Sequence, residues 1–172
     1  IGNYFYGLYK INKKIYNFDN NISVKIVSAN SSLKEYYSQD ETSRLKKLIK
    51  ISDPEKNKKT LFIWPERIFY ETYLKDIEKY KDLFVNNFSK NHLIVLGINN
   101  FSKHNNERKY YNSLVILNYK LEILSIYNKI KLVPFGEFLP FENFLSKFGF
   151  KKITRGYNSF SSGDTRRPLR LG

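Results

Sequence analysis

The chain of 172 residues has no cysteine and no methionine. Without cysteine it can form neither a disulfide nor a thiolate metal site. Its two histidines, His92 and His104, are too few for a metal centre without help from carboxylates. His92 reads as the start of a strand and His104 as part of a polar loop. No apolar run approaches the roughly 20 residues that a bilayer span requires. No signal peptide is visible. The missing initiator and the bulky Ile1 lead us to expect a chain internal to a longer protein. The end, Arg166-Arg167-Pro168-Leu169-Arg170-Leu171-Gly172, carries no helix cap or polar tail and leads to the same expectation.

What is present points to a folded domain. Hydrophobic residues make up 41% and aromatics 17%, too many for a disordered chain. The length fits one domain with a real core. Net charge is +14, from 30 basic and 16 acidic residues. Such a balance would attract an anionic surface, either membrane or nucleic acid. The lysines are interleaved with acids, as in Lys75-Asp76, Glu78-Lys79 and Lys81-Asp82. That is the pattern of a solvated helix face, and a compositional bias toward Lys and Asn is the preferred reading.

Strand and helix signals alternate along the chain. Residues 1–21 are aromatic and polar without a clean period and read as a linker. Ile22 to Val27 alternates as a strand does. Ser38 and Glu41 have capping-box spacing and open a helix through Leu45, Leu48 and Ile49, closed at Ser52-Asp53-Pro54. Leu61 to Trp64 is a short apolar strand. Thr72 is placed to cap a helix whose Tyr73, Ile77, Tyr80, Phe84 and Phe88 share one face. Leu93 to Ile98 is a buried strand, and 101–109 reads as a polar loop. Tyr111 to Leu117 and Leu121 to Tyr127 form a hairpin about Asn118-Tyr119-Lys120. Leu132-Val133 runs into Pro134-Phe135-Gly136-Glu137. Beyond Pro140 the chain is loop-like, with a short apolar segment at Phe144 to Phe150. The order predicts an α/β sheet with helices packed on it.

Three residues stand at strand ends, where sheet enzymes place their chemistry. Glu66 follows the strand ending at Trp64-Pro65. Lys129 follows Tyr127. Glu137 closes the Pro-Phe-Gly turn. A carboxylate in a partly dry cleft can act as a general base near neutral pH. A nearby ammonium can stabilise an oxyanion. Such a pair lacks only a nucleophile. Each residue also has a plain structural reading. Glu66 fits a helix-start carboxylate, Lys129 a solvated lysine and Glu137 a turn cap. Trp64 and the aromatic stripe from Tyr73 to Phe88 read as core.

Leu61-Phe-Ile-Trp-Pro-Glu66, followed by Tyr127-Asn-Lys-Ile-Lys-Leu-Val-Pro-Phe-Gly-Glu137, resembles the nitrilase superfamily. Within it the chain is similar to the nitrilase-like domain of bacterial apolipoprotein N-acyltransferases. Tyr110-Tyr-Asn-Ser113 fits that branch, and the likeness spans roughly residues 22–163. The resemblance implies a four-layer α-β-β-α sandwich, here incomplete on its C-terminal side. It divides the chain into a linker over 1–21, following a missing membrane region of about eight helices, and a partial domain over 22–172. It implies a Glu–Lys–Cys triad in which Glu66 is the general base, Lys129 supports the tetrahedral intermediate and Glu137 holds the lysine in order. Lys131, two residues from Lys129, would share its face of a strand. The family's spacing of lysine to glutamate favours Lys129.

The resemblance places the catalytic cysteine beyond Gly172. It also leaves a partial match, since Ser28-Ala29-Asn30 stands where relatives often carry Gln-Pro-Asn. The implied reaction moves an acyl chain from a phospholipid, through the cysteine, to the α-amino group of a lipoprotein's diacylglyceryl-cysteine. No cofactor or metal is called for. The implied partners are the phospholipid donor, the apolipoprotein acceptor and a membrane surface, without nucleic acid. The implied location is the bacterial inner membrane, with this domain on the periplasmic face. A soluble nitrilase-type amidase and a non-catalytic domain of the same fold remain alternatives. The amidase usually lacks the Leu-Val-Pro-Phe-Gly-Glu block.

Overall fold

The computed structural model describes residues 2–13, 21–30, 38–66, 68–104, 107–141, 144, 146–149 and 159–165. Its centre is one five-stranded sheet in the order β1-β2-β3-β4-β5. The strands are β1 (Ser23–Ile26), β2 (Thr60–Ile63), β3 (His92–His104), β4 (Glu107–Asn118) and β5 (Ile123–Asn128). The first three run parallel, while β4 and β5 return antiparallel. This is the mixed α/β sheet expected from the alternation of strand and helix signals.

The sheet has two unlike faces. On one, Phe62, Ile94, Leu96, Val115 and Leu117 are almost fully buried. They pack against Leu45, Leu48 and Ile49 of helix α2 (Glu41–Ser52) and against Ile77, Tyr80, Phe84 and Phe88. Trp64 stands among them as core, its ring tilted against Phe84 and Phe88. The other face carries Val24, Ile26, Leu61, Ile63, Val95, Leu114 and Ile116 in register across the strands. Val95 and Ile116 are buried at its centre, but Val24, Ile26 and Leu114 are exposed. The described residues thus form a helix layer and a sheet layer, with a second apolar sheet face turned away from the helices.

Several elements depart from the sequence reading. The supposed linker contains helix α1 (Gly2–Lys13), whose Tyr4, Phe5 and Tyr6 are exposed. An all-round mixture of aromatic and polar residues gives no stripe to read, and none of residues 2–11 is buried. Helix α2 is capped by Asp40, which accepts from the Ser43 amide, and not by Ser38. The Glu41 carboxylate accepts from Tyr70, Glu71 and Thr72 instead of from the helix start. Thr72, expected to cap the next helix, spends its hydroxyl on Glu41. That helix is a 3-10 segment, Leu74–Tyr80, continued by α3 (Lys81–Asn87).

The polar loop expected at 101–109 is a long ribbon. Strands β3 and β4 pair from Leu93↔Asn118 out to His104↔Glu107, and residues 105 and 106 lie outside the described residues. Cross-strand backbone pairing holds polar residues that carry no apolar alternation, so the usual strand signal is missing. His104 therefore ends a strand, while His92 starts one as expected. His92 is fully buried, its Nδ1 accepting from the Ser89 amide and its Nε2 bonding the Glu55 carbonyl. Of the apolar segment 144–150, Ser146–Phe148 form a short 3-10 turn, and residues 145 and 150 lie outside the described residues.

Candidate active site

The parallel strands β1 and β2 end on the same side, and the site lies beyond them, beside the stretch of β3 that runs on to His104. β2 stops at Ile63. The Trp64 amide then donates to the Val95 carbonyl at 2.9 Å, and Pro65, which has no N–H, ends the ladder. Glu66 comes next and is exposed.

β4 and β5 bring the other residues in. Ser113 pairs with Asn128 across the two strands. One residue further, the Lys129 amide donates to the Asn112 carbonyl at 2.8 Å, which makes Lys129 and Asn112 cross-strand neighbours. Ser113 is buried, and its hydroxyl donates to Asn128 Oδ1 at 2.7 Å. This fixes the side chain just before the lysine.

Glu137 arrives on the Leu132–Glu137 turn. The Glu137 amide donates to the Val133 carbonyl at 2.8 Å, and the Val133 amide donates to Glu137 Oε2 at 2.8 Å. The turn therefore closes on its own carboxylate. Phe135 sits at its tip with φ of 59°, a left-handed conformation that non-glycine residues adopt at a cost.

The four side chains meet through Asn112. Its Nδ2 donates to Glu66 Oε1 at 2.9 Å and to Glu137 Oε1 at 2.8 Å. Both neighbours are carboxylates, so only the amino end of the carboxamide can face them. Lys129 Nζ donates to the same Glu137 oxygen at 3.0 Å. The ammonium is about one-third exposed, with side-chain accessibility of 34% against 8% for the glutamate. Lys131 is exposed.

The two glutamates are in different situations. Burial alone would push the Glu137 carboxyl up, but the Val133 amide, Asn112 and Lys129 outweigh it and hold it below its ordinary value. Glu137 is thus a standing anion hydrogen-bonded to the lysine. Glu66 is exposed rather than held in the dry cleft that the sequence reading assumed. It accepts from Asn112.

A strap over residues 159–165 closes the back of the cluster. The Phe160 amide donates to the Glu137 carbonyl, Ser161 to that of Tyr110, and Gly163 to that of Lys129. A Cβ on Gly163 would lie 2.3 Å from the Asn128 carbonyl oxygen, so only glycine fits that approach. Sequence reading left this strap as loop. It placed Asn112 in a block without giving it a role, although a carboxamide at mid-strand was a signal of a polar partner.

Comparison with known proteins supplies the family context. No family model matches. The apolipoprotein N-acyltransferase of Caulobacter vibrioides is 35% identical over 117 residues, which is 64% of this chain and 22% of that protein. That of Rhodopseudomonas palustris is 46% identical over 61 residues, 36% of this chain and 11% of that protein. The chain's relatives are apolipoprotein N-acyltransferases. The resemblance read from its motifs is therefore borne out, and the chain spans about a fifth or less of these acyltransferases' length. Among solved structures, an N-terminal amidase aligns at 18% identity with a TM-score of 0.37, covering 64% of this chain and 28% of that one. A carbon-nitrogen hydrolase from Helicobacter pylori aligns at 19% identity with a TM-score of 0.34, covering 83% and 44%. Among the described residues no helix is long and apolar enough to cross a membrane, and no group of His, Asp and Glu could hold a metal ion.

Proposed function

We propose that this chain is the Glu–Lys half of the acyl-transfer site of an apolipoprotein N-acyltransferase. Residues 22–172 would belong to its nitrilase-like domain, 1–21 would lead into it, and the nucleophilic cysteine would come from outside the chain. The observation that carries the reading is the Asn112 bridge. It gathers the base, the lysine and the second glutamate of the expected site around one carboxamide.

The chemistry follows from the roles of these groups. Glu66 takes the proton of the thiol, and the thiolate sulfur attacks the ester carbonyl of a phospholipid. Negative charge grows on the carbonyl oxygen, and the Lys129 ammonium stabilises it. Collapse breaks the ester C–O bond, and Glu66 returns its proton to the departing alkoxide. The acyl chain is now a thioester. In the second half the α-amino group of the lipoprotein's terminal cysteine attacks that thioester. Glu66 takes a proton from nitrogen and hands it to the leaving thiolate, so enzyme and proton count are restored. Glu137 stays ionised throughout and keeps Lys129 in place. The working surface would face lipid on the periplasmic side of the inner membrane.

The test is acylation of the full-length protein. Incubated with a phospholipid, it should gain one acyl chain by mass. Glu66→Ala should abolish the adduct, and Lys129→Ala should slow its formation by roughly 100- to 1,000-fold. Lys131→Ala should acylate at close to the parent rate. The chain of 172 residues alone, having no cysteine, should remain unmodified. A lethal Lys131→Ala with a tolerated Lys129→Ala would overturn the assignment.

A further inference from the structure

Helix α2 grips the segment that carries Glu66 at both of its ends. At the near end, the Trp64 indole Nε1 donates to the hydroxyl of Ser52, the last residue of α2, at 2.9 Å. That hydroxyl in turn donates to the Leu48 carbonyl at 2.8 Å, so the indole is tied to the helix backbone through one atom. At the far end stands Glu41, the first residue of α2. Its Oε1 accepts from three successive amides, Tyr70 at 2.8 Å, Glu71 at 2.7 Å and Thr72 at 3.2 Å. Its Oε2 accepts from the Thr72 hydroxyl and, at 2.9 Å, from the Tyr80 hydroxyl. Between the two grips, Ile68 and Phe69 are buried in the core.

This is more than a helix start needs. Asp40 already caps α2 by accepting from the Ser43 amide and hydroxyl. The Glu41 carboxylate is free of that duty and fills a nest of consecutive N–H groups, a geometry that selects an anion. It is 6% exposed, and a buried carboxylate is costly unless its donors are in place. Here five donors meet it, and the second oxygen also faces Lys79 Nζ at 3.8 Å. A carboxamide has only one acceptor oxygen, so it cannot reproduce the whole set.

We propose that Glu41 is a positioning residue for Glu66. The carboxylate fixes the chain at 70–72 while Ser52 fixes it at Trp64, and the two together hold Glu66 where it meets Asn112. The inference rests on the reading of Glu66 as the base. A base that must meet both a thiol and its own orienting amide loses rate when it wanders, without any loss of substrate binding.

Three variants of the full-length protein test this, each read for single-turnover acylation by phospholipid. Glu41→Gln should lower the maximal rate roughly 10- to 100-fold and leave the half-saturating phospholipid concentration unchanged. Tyr80→Phe removes one donor and keeps the carboxylate, and should give a smaller loss in the same parameter. Leu48→Ala, on the core face of the same helix, should lower the melting temperature and keep the rate. A second readout does not depend on activity. The Asn112 side-chain amide, followed by NMR in ¹⁵N-asparagine-labelled protein, should shift in Glu41→Gln and Tyr80→Phe and stay put in Leu48→Ala. Rates within two-fold of the parent in Glu41→Gln and Tyr80→Phe, or an unmoved Asn112 amide in both, would overturn the proposal. A fully active Glu66→Gln would remove the base assignment, and the Asn112 signal would still show whether Glu41 sets the place of Glu66.

Discussion

Asn112 Nδ2 stands 2.9 Å from Glu66 Oε1, a contact that spans 46 residues of sequence. It joins the loop after β2 to the middle of β4. The same nitrogen holds Glu137, so each carboxylate is positioned relative to the other. Removing the amide should therefore loosen both. Asn112→Ala is expected to slow acylation of the full-length protein by roughly 10- to 100-fold. Asn112→Asp should do more harm, because a third carboxylate would repel the two already there. Single-turnover acylation across pH checks both, and an Asn112→Asp variant faster than Asn112→Ala would contradict the bridging role.

Gly163 should tolerate no side chain. Its amide bonds the Lys129 carbonyl at 3.0 Å, and a Cβ would meet the backbone of Asn128. Backbone cannot step aside as a flexible side chain can. Gly163→Ala must push the strap away from β5 and shift Lys129 with it. We expect a stability loss of about 1–3 kcal/mol. Acylation should fall as well, whereas Ser162→Ala, which loses hydroxyl bonds to the Ile130 and Gly163 carbonyls and leaves the backbone in place, should fall less. Urea unfolding and acylation rates on the two variants settle the comparison.

The carboxyls of Glu137 and Glu41 make stability depend on pH in a defined sense. For both, burial pushes the carboxyl up, and hydrogen bonds to the ionised form outweigh it. Their folded pKa values therefore lie below the unfolded value of about 4.3. A depressed pKa contributes stability that is present above the unfolded value and is lost as pH falls through the folded one. Glu137→Gln and Glu41→Gln should each cost about 1–3 kcal/mol at neutral pH, since buried donors lose their acceptor. The gap to the parent protein should shrink as pH falls below about 4. Urea unfolding across pH at low salt measures this, and a gap that is constant from neutral to acid would refute it.

What the sequence revealed and what it hid have separate physical causes. The cores of β2, β3 and β4 were legible because short apolar runs were bounded by Pro65, by Asn99-Asn100 and by Asn118. Of the stripe Tyr73, Ile77, Tyr80, Phe84 and Phe88, legible because helical spacing repeats, the last four are buried, while Tyr73 stands before the helix and is only half-buried. Glu66, Lys129 and Glu137 were picked from motif and strand ends, and the fold brings them within one hydrogen-bonded cluster. The hidden features are tied by long-range polar contacts, which leave no period. Glu41 reads as half of a capping box until the 70–72 amides are seen around it. Ser102 and Lys109 read as loop until each other's backbone is seen opposite. The strap at 159–165 has no pattern of its own and is held by the carbonyls of Glu137, Tyr110, Lys129 and Ile130.

The apolar sheet face turned away from the helices should make the chain associate. Ile26 is 80% exposed and Val24 56%, both on β1, which is also the sheet's edge strand. An edge presents unpaired backbone groups, and wet apolar side chains beside it add about 25 cal/mol per Å² of driving force for burial. The net charge of +14 opposes contact between copies. Charge repulsion is screened as the Debye length falls from about 30 Å at 0.01 M salt to about 3 Å at 1 M, whereas apolar attraction is not. Association should therefore grow with salt, opposite to what an ion-pair interface would do. Sedimentation velocity across a salt series measures it. Ile26→Lys, which places a charge on the most exposed residue of that edge strand, should return the chain toward monomer at high salt. Lys81→Ala, on the helix side, should leave association as it was or strengthen it slightly through the lost charge. A chain that stays monomeric at every salt concentration would refute the prediction.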